Sequence, residues 1–227
     1  QLSVVVIVSV TDEELKHQEF FLRVELLIAV ATPEGYRFDV PANDVAGFVL
    51  AKCEWAVLAL TCHIELFSQA HYRASIEPAD GLSPLFKDIF LFHWKEESQH
   101  AIVDELEWAR ADRKLRSDAE RDAAVSDLIA LVQGVDGILQ AQAAADAGYF
   151  LRIAGIADDD PRAEAICRTM LRAYRWQYIV SGAMQPRFQQ LLAGLVSAAQ
   201  LQRIQDALAP LSYAVPQRTD AAQAMTH

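Results

Sequence analysis

The sequence predicts an all-α protein, and three observations carry this prediction. Long apolar stretches recur at helical spacing, and the prolines fall between these stretches. Only residues 1–10 are rich in the β-branched residues that favour strands. The chain of 227 residues is long enough for one sizeable domain. Its contents of 52% hydrophobic and 22% charged residues are those of an ordinary globular protein.

Charge and cysteine content narrow the choice of partners and compartment. With 20 basic and 31 acidic residues, the net charge is −11, which argues against nucleic acid or an anionic membrane surface as partner. Cys53, Cys62 and Cys167 form no metal-ligand or redox pair, so we expect reduced thiols in a cytoplasm-like compartment. Residues 1–10 lack the basic segment and cleavage site of a signal sequence, and they are too short to span a bilayer.

The helix on which the functional prediction rests begins with Ser83 as N-cap and Pro84 at its first position, and it should run to about Asp112. At 100° per residue, His93 lies about 40° from Glu97, and His100 lies about 60° from it. Two imidazoles and two carboxylates therefore share one stripe: His93, Glu97, His100 and Asp104. The stripe adjoins apolar residues and should point inward, where such groups need partners or a metal. The alternative is a solvated charged face.

A second Glu-x-x-His pair, Glu14 with His17, lies near the start of the chain. We interpret residues 1–10 as the buried end of a helix that continues to about Ala31. In the alternative, the helix begins at Thr11 and Glu14 closes a capping box, which would make Glu14 structural.

A third apolar helix is predicted from about Asp44 to Tyr72. It carries Glu65, the better placed of its two glutamates, while His63 and His71 are interpreted as ordinary core or surface histidines.

Further helices are predicted from Ser117 to about Ile156, from Pro161 to Val180, and after Pro186 and Ser197. The expected organisation is a metal-binding helical core over 1–115, additional C-terminal helices packed on it over 116–212, and a disordered tail over 213–227.

Six residues on three helices make up the predicted ligand set: Glu14, His17, Glu65, His93, Glu97 and His100. Asp104 is expected just outside the set, orienting a histidine. Carboxylates with imidazoles suit Fe, or alternatively Mn, better than Ca, Mg or a structural Zn. Two Glu-x-x-His units plus a single Glu nearly satisfy the di-metal pattern of a ferritin-like four-helix bundle, which has a single Glu on each of two helices, so one carboxylate of the pattern is missing. The predicted fold class is therefore all-α, of this ferritin-like type with additional C-terminal helices.

The motifs Asp12-Glu13-Glu14-x-x-His17, Glu65 and His93-x-x-x-Glu97-x-x-His100 resemble those of ferritin-like di-iron N-oxygenases of the p-aminobenzoate N-oxygenase type. The resemblance covers roughly residues 11–112 and implies a bridged di-iron centre that activates O₂. In that family, the extra histidine that His93 matches is a seventh protein ligand. One further glutamate of the family, on a preceding helix, has no counterpart before Glu14.

The expected activity is an O₂-dependent oxidase or oxygenase acting on a small molecule. The expected partners are that substrate, O₂ and an electron donor that the sequence does not identify, with a homodimer as the assembly considered. Two alternatives stay open: a ferritin-like protein that stores or handles metal, and a structural helical protein whose site has decayed. An oxygenase requires an apolar cavity beside the metals, near Trp94 and Leu66.

Overall fold

The computed structural model describes residues 2–38 and 40–217, with the backbone alone for 2–11. All regular structure in this part of the chain is helical, so the predicted all-α class is confirmed. The α-helices are α1 (Leu2–Ala31), α2 (Ala42–Leu50), α3 (Glu54–His71), α4 (Pro84–Asp112), α5 (Asp118–Ile153), α6 (Pro161–Arg175), α7 (Ser181–Ala183), α8 (Pro186–Leu195) and α9 (Ala198–Leu208). Short π-helical turns follow α3 at Tyr72–Ile76 and α6 at Trp176–Val180, and a 3-10 helix, Ala209–Ala214, follows α9.

Helix α1 is continuous from Leu2, which decides between the two interpretations of its start. Glu14 lies three turns inside the helix, so the capping-box hypothesis for Glu14 is wrong. Helix α1 packs antiparallel on α4, because Glu13 contacts His100 near one end of the interface and Phe21 contacts Phe90 near the other. The predicted end at Ala31 is confirmed.

The predicted helix from Asp44 to Tyr72 is interrupted, and this part of the prediction is wrong. The α-helix ends at Leu50, and Cys53 has an extended backbone before α3 begins. The Cys53 N–H donates to the Asp127 carboxylate of α5 at 3.0 Å. A long-range partner therefore satisfies a backbone group that a continuous helix would have paired internally.

Helix α3 lies at the centre of the fold and packs most extensively on α4 and α5. Trp55 of α3 meets Trp108 of α4 edge-to-face at 5.2 Å, and both are almost completely buried. The same core cluster includes Leu131 of α5 and Phe188 of α8. Residues from both parts of the predicted organisation therefore share one core.

The connection between α1 and α2 is held against α5 by three hydrogen bonds to its backbone carbonyls. Tyr149 donates to Pro33 at 2.7 Å, Arg152 to Glu34 at 3.3 Å and Gln142 to Arg37 at 3.2 Å. These bonds anchor α1 at its C-terminal end.

Helix α4 buries the face that carries its charged residues. Ser83 caps it as predicted, accepting from the Phe86 N–H. Glu97 and His100 are buried, whereas Leu85, Phe92 and Leu106 are exposed. The solvated-face alternative is therefore wrong, and the inward orientation expected of the stripe is confirmed for Glu97 and His100, beside the buried Ala101.

Among the described helices, α5 alone has the length and apolar composition of a membrane span. This is weak evidence, because a core helix meets the same test, and α5 packs on α3, α6 and α9. Ser197 and Gln200 form a capping box at the start of α9. The predicted tail overlaps the last 3-10 turn, where Ala214 is buried; from residue 218 on, it lies outside the described residues.

Asp127→Ala should lower the free energy of unfolding by about 1 kcal/mol, because the Cys53 N–H loses a charged acceptor that is itself partly exposed. Asp127→Asn keeps an acceptor and should lose less. Urea denaturation measures both, with Asp158→Ala in an exposed loop as the matched control. Equal stabilities of Asp127→Ala and Asp158→Ala would show that the break in the helix does not depend on this bond.

Candidate metal centre

Four of the predicted ligands come together between α1 and α4. Glu14 and His17 project from α1, and Glu97 and His100 from α4, with one ligand atom of each lying within 4.8 Å of all the others. His17, Glu97 and His100 are buried, at 3%, 4% and 2% exposure. The Glu14 side chain is 46% exposed, so the group is open on that side. This group can hold a metal ion.

The two glutamates are shared between the two histidines. Glu97 places Oε1 3.1 Å from His17 Nδ1 and Oε2 2.7 Å from His100 Nδ1. Glu14 places Oε1 3.0 Å from His100 Nδ1 and Oε2 3.8 Å from His17 Nδ1. Each carboxylate therefore presents one oxygen to each imidazole, as two bridging carboxylates would.

The outer nitrogens of the two histidines are held by two further glutamates. His17 Nε2 lies 2.7 Å from Glu96, and His100 Nε2 lies 2.8 Å from Glu13. Each bond crosses between the helices, because Glu96 belongs to α4 and Glu13 to α1. When Nε2 donates its proton to the carboxylate, Nδ1 is left with a lone pair directed into the group. A carboxylate behind a histidine is how proteins orient imidazoles toward a metal.

The other predicted residues lie against Glu97. His93 Nε2 is 2.6 Å from Glu97 Oε1, and Glu65 of α3 shares a hydrogen bond with Glu97. Neither belongs to the four-residue group, so their role as ligands stays a prediction. Asp104 interacts through its charge with His100, while Glu13 and Glu96 make the hydrogen bonds that orient the two group histidines.

The histidines hold their protons strongly when no metal competes for Nδ1. Burial by itself would lower the pKa of His17, but bonds to Glu14, Glu97 and Glu96 outweigh it and raise the pKa to about 10. Bonds to Glu14 and Glu97 raise the pKa of His100 to about 11 against the effect of burial. Both rings are therefore imidazolium at pH 7 in the metal-free protein. They lose these protons as pH rises through 10 to 11.

The carboxylates divide into ionised and protonated forms. Bonds to His100 and His17 lower the pKa of Glu14 to about 2. Burial would raise the pKa of Glu97, but His100, His17 and His93 hold it far below its usual range. Burial and the neighbouring Glu97 raise the pKa of Glu65. Glu65 is thus the carboxylic acid that donates to Glu97, and a cation here would favour loss of that proton.

Several buried polar atoms of the group face one another closely without the geometry of a hydrogen bond, which is the test of whether these residues fit a metal. Glu97 lies 3.1 Å from His17 Nδ1 and 2.7 Å from His100 Nδ1, yet His17 Nδ1, His100 Nδ1 and Glu97 Oε2 make no well-formed hydrogen bond. Their charges attract one another in the metal-free protein, and a cation would satisfy all three atoms together. Donors on opposite sides of one ion lie about 4 Å apart at usual metal–ligand distances. The group fits with small movements.

Comparisons with family models, with curated proteins and with solved structures found no match to this chain. What the site can do therefore has to be argued from its own geometry.

Glu13 and Glu96 are the functional residues that the sequence reasoning missed. The signal was present as an internal repeat, since Glu13-Glu14-Leu15-Lys16-His17 and Glu96-Glu97-Ser98-Gln99-His100 share the pattern Glu-Glu-x-x-His. In both copies, the first glutamate holds the histidine of the other helix, and the second faces both histidines. The crossing of the two copies follows from the antiparallel packing of α1 on α4.

Loading the metal-free protein should release about three protons per chain near pH 7, one from each imidazolium and one from Glu65, because a metal at Nδ1 displaces its proton and favours the ionised form of Glu65. Affinity should therefore rise with pH below about 10. Adding Mn(II) to weakly buffered protein with a pH indicator counts the protons. Binding without proton release would show that Nδ1 of His17 and His100 is not the metal-binding atom.

Glu13→Gln and Glu96→Gln should each weaken metal binding by about 10–100-fold, because each removes the charge that orients and polarises one histidine. Glu25→Gln, an exposed substitution on α1, is the matched control. Competition with a chelator of known affinity measures the change. Affinities equal to that of the control would leave the outer carboxylates without a role in metal binding.

Proposed function

We propose that the protein is a di-metal carboxylate protein, with Fe or Mn bound between α1 and α4, that carries out O₂-dependent oxidation or oxygenation of a small molecule. The observation that carries this proposal is the sharing of Glu14 and Glu97 between His17 and His100. His17 and His100 would each hold an ion together with Glu14 and Glu97. Donors of this kind suit Fe or Mn.

The proposed architecture is a ferritin-like bundle built around α1, α3 and α4. Two Glu-x-x-His units on α1 and α4 and a single glutamate on α3 match three of the four ligand-bearing helices of such bundles, and the second single glutamate has no counterpart. The contact of Glu65 with Glu97 supports this, because it brings the carboxyl group of the third helix to the centre. His93 lies on the His17 side of Glu97, where it would add a third imidazole.

The glutamates of the site would have different roles. Glu14 and Glu97 would hold the two ions together, and Glu13 and Glu96 would keep the protons of the histidines at Nε2. Glu65 would supply a carboxylate after giving up its proton to solvent. When bound, the metal pair supplies redox change and O₂ binding, chemistry that side chains alone do not provide.

The surroundings of the histidines support oxidation chemistry in preference to storage. The ring of Phe21 lies 5.0 Å from His93 and 5.6 Å from Phe90, so aromatic rings line this side and would limit the access of water. Access is left on the side of the half-exposed Glu14. Buried, oppositely held histidines suit a resident cofactor, whereas storage requires ions to leave.

The space beside Trp94 does not have the character expected of a substrate cavity. The Trp94 ring is stacked on Tyr72 at 5.3 Å and covered by the Arg73 guanidinium at 4.3 Å, and Leu66 is part of the core. A small molecule would therefore approach from the Glu14 side.

Purified protein should contain about two Fe or Mn per chain, and Glu97→Ala should lose most of this metal because it removes the shared carboxylate and the partner of three histidines. Elemental analysis and thermal unfolding before and after chelation measure this. Glu107→Ala on the exposed part of α4 is the control. A metal-free wild type with unchanged thermal stability after chelation would contradict the di-metal proposal.

The same preparation separates oxidation from storage. After anaerobic reduction and exposure to O₂, the iron-loaded protein should be reoxidised without taking up further iron from a large excess of Fe(II). Accumulation of tens of irons per chain would instead identify a store.

A further inference from the structure

The two halves of the centre are nearly equivalent except for one lysine. Glu96 and Glu13 hold their histidines at 2.7 and 2.8 Å, and their side chains are 22% and 24% exposed. The second oxygen of Glu96 forms an ion pair with Lys16 of α1. Among the described residues, no lysine or arginine forms an ion pair with Glu13. The outer carboxylate is therefore neutralised in one half of the centre only.

The internal repeat shows that this difference lies at a single position. Lys16 is the fourth residue of the first Glu-Glu-x-x-His unit, and Gln99 is the fourth residue of the second. Lys16 reaches across to the outer glutamate of the other helix, and the neutral, exposed Gln99 holds the corresponding place on α4. Gln99 and Lys16 can therefore serve as reference residues for each other in the two halves of the centre.

A carboxylate that accepts the N–H of a histidine makes the opposite nitrogen a stronger donor to a metal. A cation bound to that carboxylate withdraws part of this effect. Lys16 would therefore weaken the hold of His17 on a metal through Glu96, whereas Glu13, which holds His100, has no such contact with Lys16.

We propose that Lys16 is a positioning residue that acts through Glu96 to make the two metal positions unequal. His17 would then be a weaker donor to its metal ion than it would be without Lys16. The inference rests on the proposed di-metal function and concerns how that centre is tuned. A centre with two unlike halves can load its ions in order and change the oxidation state of one ion before the other. The specific claim is that charge at position 16 weakens metal binding.

The experiment uses the full chain and Mn(II) as the probe, with calorimetry giving the product of the two binding constants. Lys16→Gln should raise this product by about threefold to tenfold. The effect should be smaller than that of removing the carboxylate, because Lys16 is 40% exposed and screened by solvent. Gln99→Lys should lower the product by a similar factor by giving Glu13 a cation. The double variant should return close to wild type.

Two further comparisons test whether the effect of Lys16 on metal binding passes through Glu96. In a Glu96→Gln background, Lys16→Gln should change the product of the two binding constants by less than about twofold, because a double-mutant cycle shows coupling only between interacting residues. In a Glu13→Gln background, Lys16→Gln should keep its full effect. Lys114→Gln removes an equal charge from an exposed pair with Glu54 and should change nothing. Far-UV circular dichroism confirms that each variant is folded.

The outcomes distinguish a failure of this inference from a failure of the proposed di-metal function on which it rests. If no variant binds Mn(II), the proposed di-metal function fails. If two ions bind with a product that Lys16→Gln leaves unchanged or lowers, or that Gln99→Lys raises, the proposal for Lys16 is overturned while the centre stands.

Discussion

The contact on which the structure depends is the sharing of Glu14 and Glu97 between His17 and His100 across the interface of α1 and α4. Four ionisable groups are placed where solvent reaches only one of them well. Their mutual bonds offset the cost of burial, and the atoms still without hydrogen bonds are those a cation would occupy. The site is thus also the main structural link between these two helices.

Most helices could be predicted because their signals are local. Ser83, Ser117 and Ser197 all cap helices, as serine before a helical stretch should. The break before α3 could not be predicted, because the group that accepts the Cys53 N–H, Asp127, lies 74 residues away in sequence. The exposure of Phe92 and Leu106 on α4 was missed for a related reason, since the positions of α3 and α1 decide which faces of α4 are covered.

The sequence indicated which side chains share one face where a single helix supplies the spacing, but it indicated less about contacts between helices. His93, Glu97 and His100 follow from the period of α4, and their meeting with Glu14 and His17 follows from the Glu-x-x-His pattern. The role of Glu13 and Glu96 depends on the antiparallel packing of α1 on α4, which cannot be predicted from the sequence of either helix alone. The same limit applies to Lys16, whose partner lies on the opposite helix.

Helix α1 has a consequence for how the protein is handled. Beyond the turns that carry the site, it leaves Leu22, Leu26 and Val30 exposed, while Phe21 packs on Phe90 and the connection after α1 is tied to α5. Many of the contacts that the described side chains of α1 make with α4 are ionic, and water and salt compete for such contacts. Purification in high salt would weaken these contacts together, and a loosened helix with exposed leucines favours aggregation. Poor solubility of such preparations would then reflect the buffer rather than the sequence.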